Sequence, residues 1–340
     1  MFLTSGYNNI PGADEIQSGS GKGYLFVIDV ATGQAIANLG DGDVLDKGML
    51  TTGSGDATTP SGLAKITAIT ANPNTDPLVT YVYGGDNQGQ MWRFDFTGER
   101  VQRLLMANAG PDQPITTRPD VAVCQVGSTG EGADASPTKR VVAFGTGRML
   151  DLPDIQNTKV QSAYVLKDDG AAFDAAAWRD DETYAQRALT ETRPYDDAAP
   201  DVPRSNQFTI GGTIADLGRQ RGWFVDFDRN DGERVNLDPK IVAGTLTVVT
   251  NLPQSSTACA VGGISYAYFV DVCSGAAVSS DIAGVLLSGD AAAVGTTIVR
   301  LPSGALKLIT TTAKGNTITT EVAPAKTQDA RRTGWRRVRE

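Results

Sequence analysis

The side chains available in this sequence restrict its chemistry before any element of structure is considered. The 340-residue sequence contains no histidine, which removes the usual general base, the Ser/His and Cys/His dyads and the commonest transition-metal ligand. Its three cysteines, Cys124, Cys259 and Cys273, show no CxxC spacing, so no zinc ribbon, thioredoxin motif or haem attachment site is indicated. For an exported protein, a Cys259–Cys273 disulfide is one prediction and buried free thiols are the other.

One acidic motif could open a calcium-binding loop. The segment DFDRNDGE at 226–233 offers oxygen ligands at Asp226, Asp228 and Asn230, as the start of an EF-hand does. However, its glycine comes one residue late, and the twelfth position is Leu237 where a bidentate glutamate is needed. We therefore predict a hairpin turn between GWFVDF and ERV.

Two other motifs that could suggest ligands are predicted to be structural. The GxG of FGTGR at 144–148 lies within a strand pattern and opens no helix, so it lacks the helix N-terminus that binds phosphate. Its glycines instead allow close strand packing. Trp92 and Trp223 lie in regular strand patterns, where aromatic side chains fill the layer between sheets.

These residues must be positioned by short strands. Alternating apolar runs with Gly or Asp-Gly turns recur along the chain, at 21–39, 81–104, 141–150 with 161–170, 222–235, 245–251 with 262–275, and 297–323. No helix separates the paired runs, so antiparallel sheets are favoured over βαβ units. We predict an all-β fold, a β-propeller first and a β-sandwich second.

One segment departs from this pattern. Residues 171–191 contain seven Ala and two Glu, and they can place Phe173, Ala177, Tyr184 and Leu189 along one side of a helix. The following residues 192–207 contain several Pro and Asp and are predicted to be a loop. Residues 171–207 are therefore predicted to be an insertion, with a short helix near 171–191.

Segments spread over nearly the whole chain carry a family resemblance. The most specific segments are YGGDNQGQMWRFDF at 83–96 and FGTGRML at 144–150. The others are FLTSGYNN at 2–9, SGLAKITA at 61–68, QPITTRP at 113–119, GWFVDF at 222–227, TNLP at 250–253 and RTGWRRVRE at 332–340. In these segments and in their order, the chain resembles the PilC/PilY family of type IV pilus proteins. The resemblance implies that residues 1–340 are the C-terminal part of a propeller, a partial ring of antiparallel blades. The N-terminal blades and any preceding domain of the family have no counterpart here, and whether Met1 is the true start stays open.

The resemblance also implies a calcium site. In the family an Asp-rich calcium loop precedes the strand that carries YGGD, and such loops need oxygen ligands at alternate positions. The corresponding positions here are Asn72, Asn74, Asp76, the Leu78 carbonyl and Thr80. Because only Asp76 keeps a carboxylate and prolines occupy two spacer positions, this is a degenerate calcium loop, with a proline-stiffened surface turn as the alternative.

By resemblance, the function is non-catalytic. The implied function is pilus biogenesis and surface adhesion through loops displayed on a rigid propeller. The implied partners are pilin or minor pilus-tip subunits, and the host-cell surface or extracellular matrix. The resemblance implies a place at the bacterial cell surface, on the pilus (fimbrium). A quinone-dependent dehydrogenase is one alternative, but the vicinal cysteines and CxxCH haem site it predicts are not in the sequence. A generic protein-binding propeller scaffold is the other.

Charge excludes one further class of partner. The formal net charge is −9, whereas a general nucleic-acid binder needs a basic face to neutralise phosphates.

The opening residues Met1–Ser5 have neither the basic region nor the long apolar region of a signal peptide. The prediction of a surface location therefore depends on the resemblance alone.

Overall fold

The structure, a computed structural model, describes residues 1–7, 19–72, 75–126, 138–192, 207–254, 262–279, 282–325 and 331–332. Within these residues the regular structure is almost entirely β-strand, as predicted. The chain divides into two compact units, unit 1 with residues 1–119 and 170–175 and unit 2 with residues 120–169 and 176–332. Among the described residues, no helix has the length and apolar character needed to cross a membrane.

Unit 1 contains two four-stranded antiparallel sheets, named blades 1 and 2. Blade 1 has the strand order β1-β2-β4-β3 and consists of β1 (Phe2–Thr4), β2 (Tyr24–Val27), β3 (Leu45–Asp46) and β4 (Met49–Thr51). Blade 2 runs in sequence order and consists of β5 (Ile66–Asn72), β6 (Asp76–Gly85), β7 (Gln90–Asp95) and β8 (Gln102–Asn108). A short 3-10 turn at Gly42–Val44 precedes β3. Blade 2 confirms the hairpins predicted over 81–104.

The core of unit 1 follows from the period of two along its strands. Val82, Trp92 and Phe94 are buried, and they pack with Leu25 and Leu63 in one apolar cluster. Successive residues of a strand project to opposite faces, so only alternate positions need to be apolar. Trp92 is therefore a core residue, as predicted.

Unit 2 contains a large sheet of eleven strands and a smaller sheet of three. The first strands of the large sheet are β9 (Asp120–Gln125), β10 (Thr138–Gly145), β11 (Ser162–Asp168), β12 (Tyr184–Glu191), β13 (Gln207–Gly212) and β14 (Gly222–Asp226). They are followed by β15 (Lys240–Val242), β16 (Thr245–Pro253), β17 (Gly263–Asp271) and β18 (Ile282–Ser288). The small sheet has β19 (Ala293–Arg300), β20 (Leu306–Thr312) and β21 (Thr317–Val322), and β22 (Arg331–Arg332) returns to the large sheet. A single α-helical turn, α1 (Leu152–Ile155), lies between β10 and β11.

The large sheet is two antiparallel meanders joined by a hairpin. Strands β9, β10, β11 and β14 form blade 3, and β15 to β18 form blade 4. The hairpin β12–β13 joins their edges, because β12 pairs with β14 in parallel and β13 pairs with β18. At the opposite edges, Ile241 N of β15 donates to Asp120 Oδ2 of β9 at 2.8 Å. The sheet thus nearly closes around one apolar core, which includes the buried Trp223.

Blade 5 is the three-stranded sheet β19-β20-β21, and it confirms the two back-to-back hairpins predicted over 297–323. Its buried Leu306, Leu308 and Val322 share an apolar cluster with Val249 and Phe269 of blade 4. Blades 4 and 5 therefore pack through one common core.

The helix predicted near 171–191 is wrong. Residues 175–179 and 181–183 are turns, and Tyr184–Glu191 is strand β12. Its inward-facing positions are Ala185, Arg187 and Leu189, all buried. Arg187 donates to the carbonyls of Gly275 and Gly212, at 3.0 and 2.5 Å. Because a charged side chain occupies an inward position, the sequence lacks the apolar alternation that would predict a strand.

The hairpin predicted across 226–233 is also wrong. The strand β14 pairs with β11 and β12, whereas Arg234 pairs with Asn251 across an isolated bridge. The strand before the turn and the residues after it therefore pair with different strands and not with each other.

The cysteine pairing differs from the predicted one. A disulfide joins Cys124 on β9 to Cys273, just after β17, with their Cα atoms 5.6 Å apart. It links blade 3 to blade 4 within their common core, where Cys124 is fully buried. Cys259 lies outside the described residues. The spacing of cysteines along the sequence does not predict this disulfide, because its two cysteines are 149 residues apart.

Candidate functional site

The residues of the predicted calcium loop lie at the tip of the β5–β6 hairpin. Asn72 ends β5, Asp76 begins β6, and the two are directly opposite each other. Leu78 and Thr80 follow on β6, while Asn74 lies outside the described residues. The structure thus brings Asn72 and Asp76 together and places the other two farther along one strand.

The polar groups of this tip partly serve the hairpin itself. Asp76 Oδ1 accepts a hydrogen bond from Leu78 N at 2.9 Å, and Thr80 Oγ1 donates to the Ile69 carbonyl at 3.2 Å. Asp76 Oδ2 makes no hydrogen bond to the described residues. Within the described residues, no three carboxylate or thiol groups cluster as metal ligands.

The second acidic motif is used internally. The Asp226 carboxylate accepts from Ser162 Oγ at 2.5 Å and forms an ion pair with Arg179. Asn230 Nδ2 instead donates to Glu233 at 2.8 Å. These contacts give the motif a structural role.

Glu233 is the centre of a buried polar network that the sequence did not indicate. Its side chain is fully buried, and Oε1 accepts from Thr250 Oγ1 and from the Tyr268 hydroxyl, both at 2.7 Å. Oε2 accepts from Asn230 and from Arg229, at 2.8 and 3.3 Å. Burial raises the pKa of Tyr268 well above its usual value, so the phenol stays protonated as a donor. The network joins the 226–233 turn to blade 4.

The FGTGR segment is fixed by its neighbour Arg234. A Cβ atom on Gly145 would lie 2.4 Å from Val235 Cβ, so only glycine fits beside that side chain. The buried Arg234 guanidinium donates to four carbonyl groups, those of Arg148, Asp154, Asn157 and Gly232. This confirms the predicted close packing of the glycines.

Asp154 contacts both Arg234 and the FGTGR segment: its carbonyl accepts from Arg234, and its carboxylate accepts from Arg148. Burial would raise the pKa of Asp154, but hydrogen bonds from Leu150 N and from Arg148 outweigh it and hold the pKa below its usual value. The Arg148 Nε to Asp154 Oδ1 distance is 2.8 Å. The carboxylate therefore stays charged and orders the loop that leads into α1.

The aspartate of YGGD holds the β6–β7 turn. Asp86 is fully buried; its Oδ1 accepts from Gln88 N and Gln90 N, and its Oδ2 accepts from Trp92 Nε1, each at 2.9 Å. Burial nevertheless raises the pKa of Asp86 to about 7. The spacing from Asp86 to Trp92 is thus the spacing of a turn tied to a core tryptophan.

Two exposed turns meet on the surface of unit 1. We name residues 31–38 and 97–100 the turn pair; all of them are exposed. Arg100 Nη1 donates to the Asn38 carbonyl at 2.6 Å, and Val101 N donates to the Leu39 carbonyl at 2.9 Å. Ile36 within the pair is 45% exposed, and the adjacent Val30 is 78% exposed. The turn pair and the adjacent Val30 therefore offer two exposed apolar side chains beside a backbone held by hydrogen bonds.

The chain is similar to a family model and to several known proteins. A model described as the PilY1 beta-propeller domain matches residues 1–187. A type IV pilus biogenesis factor PilY1 homolog of Xylella fastidiosa strain Temecula1 is 26% identical over 292 residues, covering 78% of this chain and 18% of the relative. Type IV pilus biogenesis factor PilY1 of Pseudomonas aeruginosa strain PAO1 is 25% identical over 288 residues, covering 76% of this chain and 24% of the relative. The chain thus spans about a fifth to a quarter of the length of these relatives.

A solved structure agrees with the fold. The crystal structure of the Pseudomonas aeruginosa PilY1 C-terminal domain matches with a TM-score of 0.59 and 19% identity, over 88% of this chain and 66% of that chain. Together with the family model, this likeness confirms the predicted β-propeller fold.

Proposed function

Because the chain belongs to the PilY1 β-propeller family, we propose that it is a non-catalytic part of a type IV pilus biogenesis factor. The observation that carries the proposal is the match of the family model to more than half of the chain. The names of the curated relatives, type IV pilus biogenesis factors, support it. Family membership also favours this function over the dehydrogenase and the generic scaffold.

We place the contact surface on the turn pair and the adjacent Val30. Loops on a rigid β scaffold commonly carry binding residues, because the scaffold fixes their position at little cost to its own stability. Val30 and Ile36 are large apolar side chains open to solvent, and such residues contribute strongly to binding when a partner covers them. The partners proposed are pilin or minor pilus-tip subunits, and adhesion to a host-cell surface or extracellular matrix follows from presentation on the pilus at the bacterial surface.

Calcium modulation is a further part of the proposal. It is supported by the position of Asn72 and Asp76 across one hairpin tip and by Asp76 Oδ2, which makes no hydrogen bond to the described residues. A single carboxylate draws a cation weakly, so the expected role is weak and adjustable binding.

The test is genetic and uses the full gene of the source bacterium. Val30→Asp with Ile36→Asp is expected to reduce surface pili, measured by shearing and immunoblotting of pilin, and to reduce attachment to surfaces. Leu152→Asp is the matched control, since Leu152 is 77% exposed but lies in unit 2. If deletion of the coding region for residues 1–340 leaves piliation and attachment normal, the proposed function is wrong. If deletion abolishes both but the double variant does not, only the contact surface is misplaced.

A further inference from the structure

An apolar cavity lies between blades 4 and 5 in unit 2. Its volume is about 870 Å³, within the range of pockets that enclose small organic ligands. Blade 4 and its flanking loops contribute Val242, Phe269, Val278 and Val285 to the walls, and blade 5 contributes Leu306 and Val322. A ligand that fills it must therefore be largely hydrocarbon.

One cation projects from the apolar side of blade 5. Arg300 on β19 lies directly opposite Leu306, and Leu306 lies directly opposite Val322 on β21. Directly opposite residues of antiparallel strands share a face of the sheet. Leu306 and Val322 are buried against blade 4, so Arg300 shares the face that borders the cavity, and it contributes to the cavity lining.

The charge of Arg300 is uncompensated within the described part of the chain. The Arg300 side chain forms no ion pair or hydrogen bond there, whereas the carboxylate of Glu321, the other charged residue that borders the cavity, accepts from Lys307 Nζ at 3.1 Å. Lys307 and Glu321 are directly opposite each other and next to Leu306 and Val322 in sequence, so although Glu321 borders the cavity, both side chains point to the other face of the sheet. The cavity therefore combines hydrocarbon walls with one available guanidinium.

We propose that this cavity binds a single-chain amphiphile with an anionic head group, such as a fatty acid. The acyl chain lies between blades 4 and 5, and the carboxylate pairs with Arg300, whose planar guanidinium suits a bidentate anion. Neither the family model nor the pilus function assigns this site, and the proposal is independent of the turn pair.

The first experiment is titration of the purified chain with the fluorescent fatty acid cis-parinaric acid, below the concentration at which it forms micelles. Saturable binding of one molecule per chain is expected, with displacement by dodecanoate. Octanoate is expected to displace it more weakly, because each added methylene strengthens binding about threefold to fourfold where it is buried. Absence of saturable binding overturns the proposal.

Variants test the walls and the head group separately. Val242→Phe and Val285→Phe, both on partly buried residues that line the cavity, are expected to abolish binding by filling it, and Val294→Phe on an exposed position is the control. Arg300→Gln is expected to weaken dodecanoate binding about tenfold and to leave dodecanol unchanged, since only the charge-assisted bond is lost. Arg219→Gln, an exposed arginine outside the lining, is the matched control.

Two outcomes would show that the site is something else. If both filling variants fold, by circular dichroism, and bind like the parent chain, the fatty acid lies elsewhere and the proposal is wrong. If sedimentation shows a ligand-free dimer that Val285→Phe dissociates, the cavity is an interface between two copies of the chain and the proposal is also wrong.

Discussion

At the scale of single residues, the most specific segments of the sequence hold the scaffold together. Asp86 of YGGD accepts three N–H groups of its own turn and of Trp92, and Gly145 of FGTGR leaves space for Val235. A buried carboxylate is costly unless it is hydrogen-bonded, which explains why each such residue needs partners at a fixed spacing. These motifs therefore indicate the fold.

Asp86 makes the stability of unit 1 depend on pH. Burial raises its pKa from 3.8 to about 7, so between these values the folded chain holds the proton more tightly than the unfolded chain. The free energy of unfolding is therefore expected to fall as pH rises from about 4 to about 7, by roughly 4 kcal/mol in total. Asp86→Asn cannot ionise, and its denaturant unfolding is expected to vary much less between pH 5 and pH 8.

Asp95→Asn is the control for this measurement, since Asp95 also accepts hydrogen bonds in a turn of blade 2 but is partly exposed. It is expected to keep the pH dependence of the parent chain. Equal pH dependence in the parent and in Asp86→Asn would contradict the assignment to Asp86.

Asp76 is the residue on which the predicted calcium site depends. Titration calorimetry of the parent chain with calcium is expected to show weak binding, which Asp76→Ala abolishes because no second carboxylate lies in the loop. Asp29→Ala is the matched control, since Asp29 Oδ1 accepts from Ala31 N at 2.8 Å as Asp76 Oδ1 accepts from Leu78 N at 2.9 Å. If the parent binds no calcium, the hairpin tip is a surface turn only.

At the scale of elements, strands whose alternation is apolar could be predicted and those that bury polar groups could not. The meander of blade 2 and the hairpins of blade 5 follow from apolar alternation and Gly turns. The sequence does not predict strand β12, because its inward position Arg187 is charged. Likewise, the sequence predicts a hairpin at 226–233 because nothing in it shows that Glu233 bonds to Thr250 and Tyr268.

The disulfide between blades 3 and 4 is expected to contribute strongly to stability. It closes a segment with a sequence separation of 149 residues, and restriction of the unfolded chain by so long a loop stabilises the fold by up to about 5 kcal/mol. Cys124→Ala with Cys273→Ala is therefore expected to lower the denaturant midpoint under oxidising conditions.

Cys259→Ala separates this pairing from the one predicted by spacing. It is expected to leave the midpoint unchanged, and peptide mapping without reductant is expected to recover Cys124 linked to Cys273. A linked Cys259–Cys273 peptide, or equal destabilisation by Cys259→Ala, would show that the pairing in the structure is wrong.

At the scale of the whole molecule, the division into two units predicts how the chain responds to local damage. Apolar clusters lie within each unit, one around Phe94 in unit 1 and one around Trp223 in unit 2. Regions with their own cores open as separate cooperative units in hydrogen exchange. Asp86→Asn is therefore expected to change amide exchange in unit 1 alone, and Cys124→Ala with Cys273→Ala to speed exchange in unit 2 alone.

Hydrogen-exchange mass spectrometry on the complete chain can test this, since peptides from 66–108 report on blade 2 and peptides from 240–271 report on blade 4. The pH of the measurement matters, because Asp86 is charged in the parent chain only above its pKa of about 7. The effect of Asp86→Asn on exchange in unit 1 is therefore expected to differ between pH 6 and pH 8. The effect of the disulfide variant on exchange in unit 2 is expected to be the same at both pH values. If either variant changes exchange equally in both sets of peptides, the two units open together, and stability is a property of the chain as one cooperative structure.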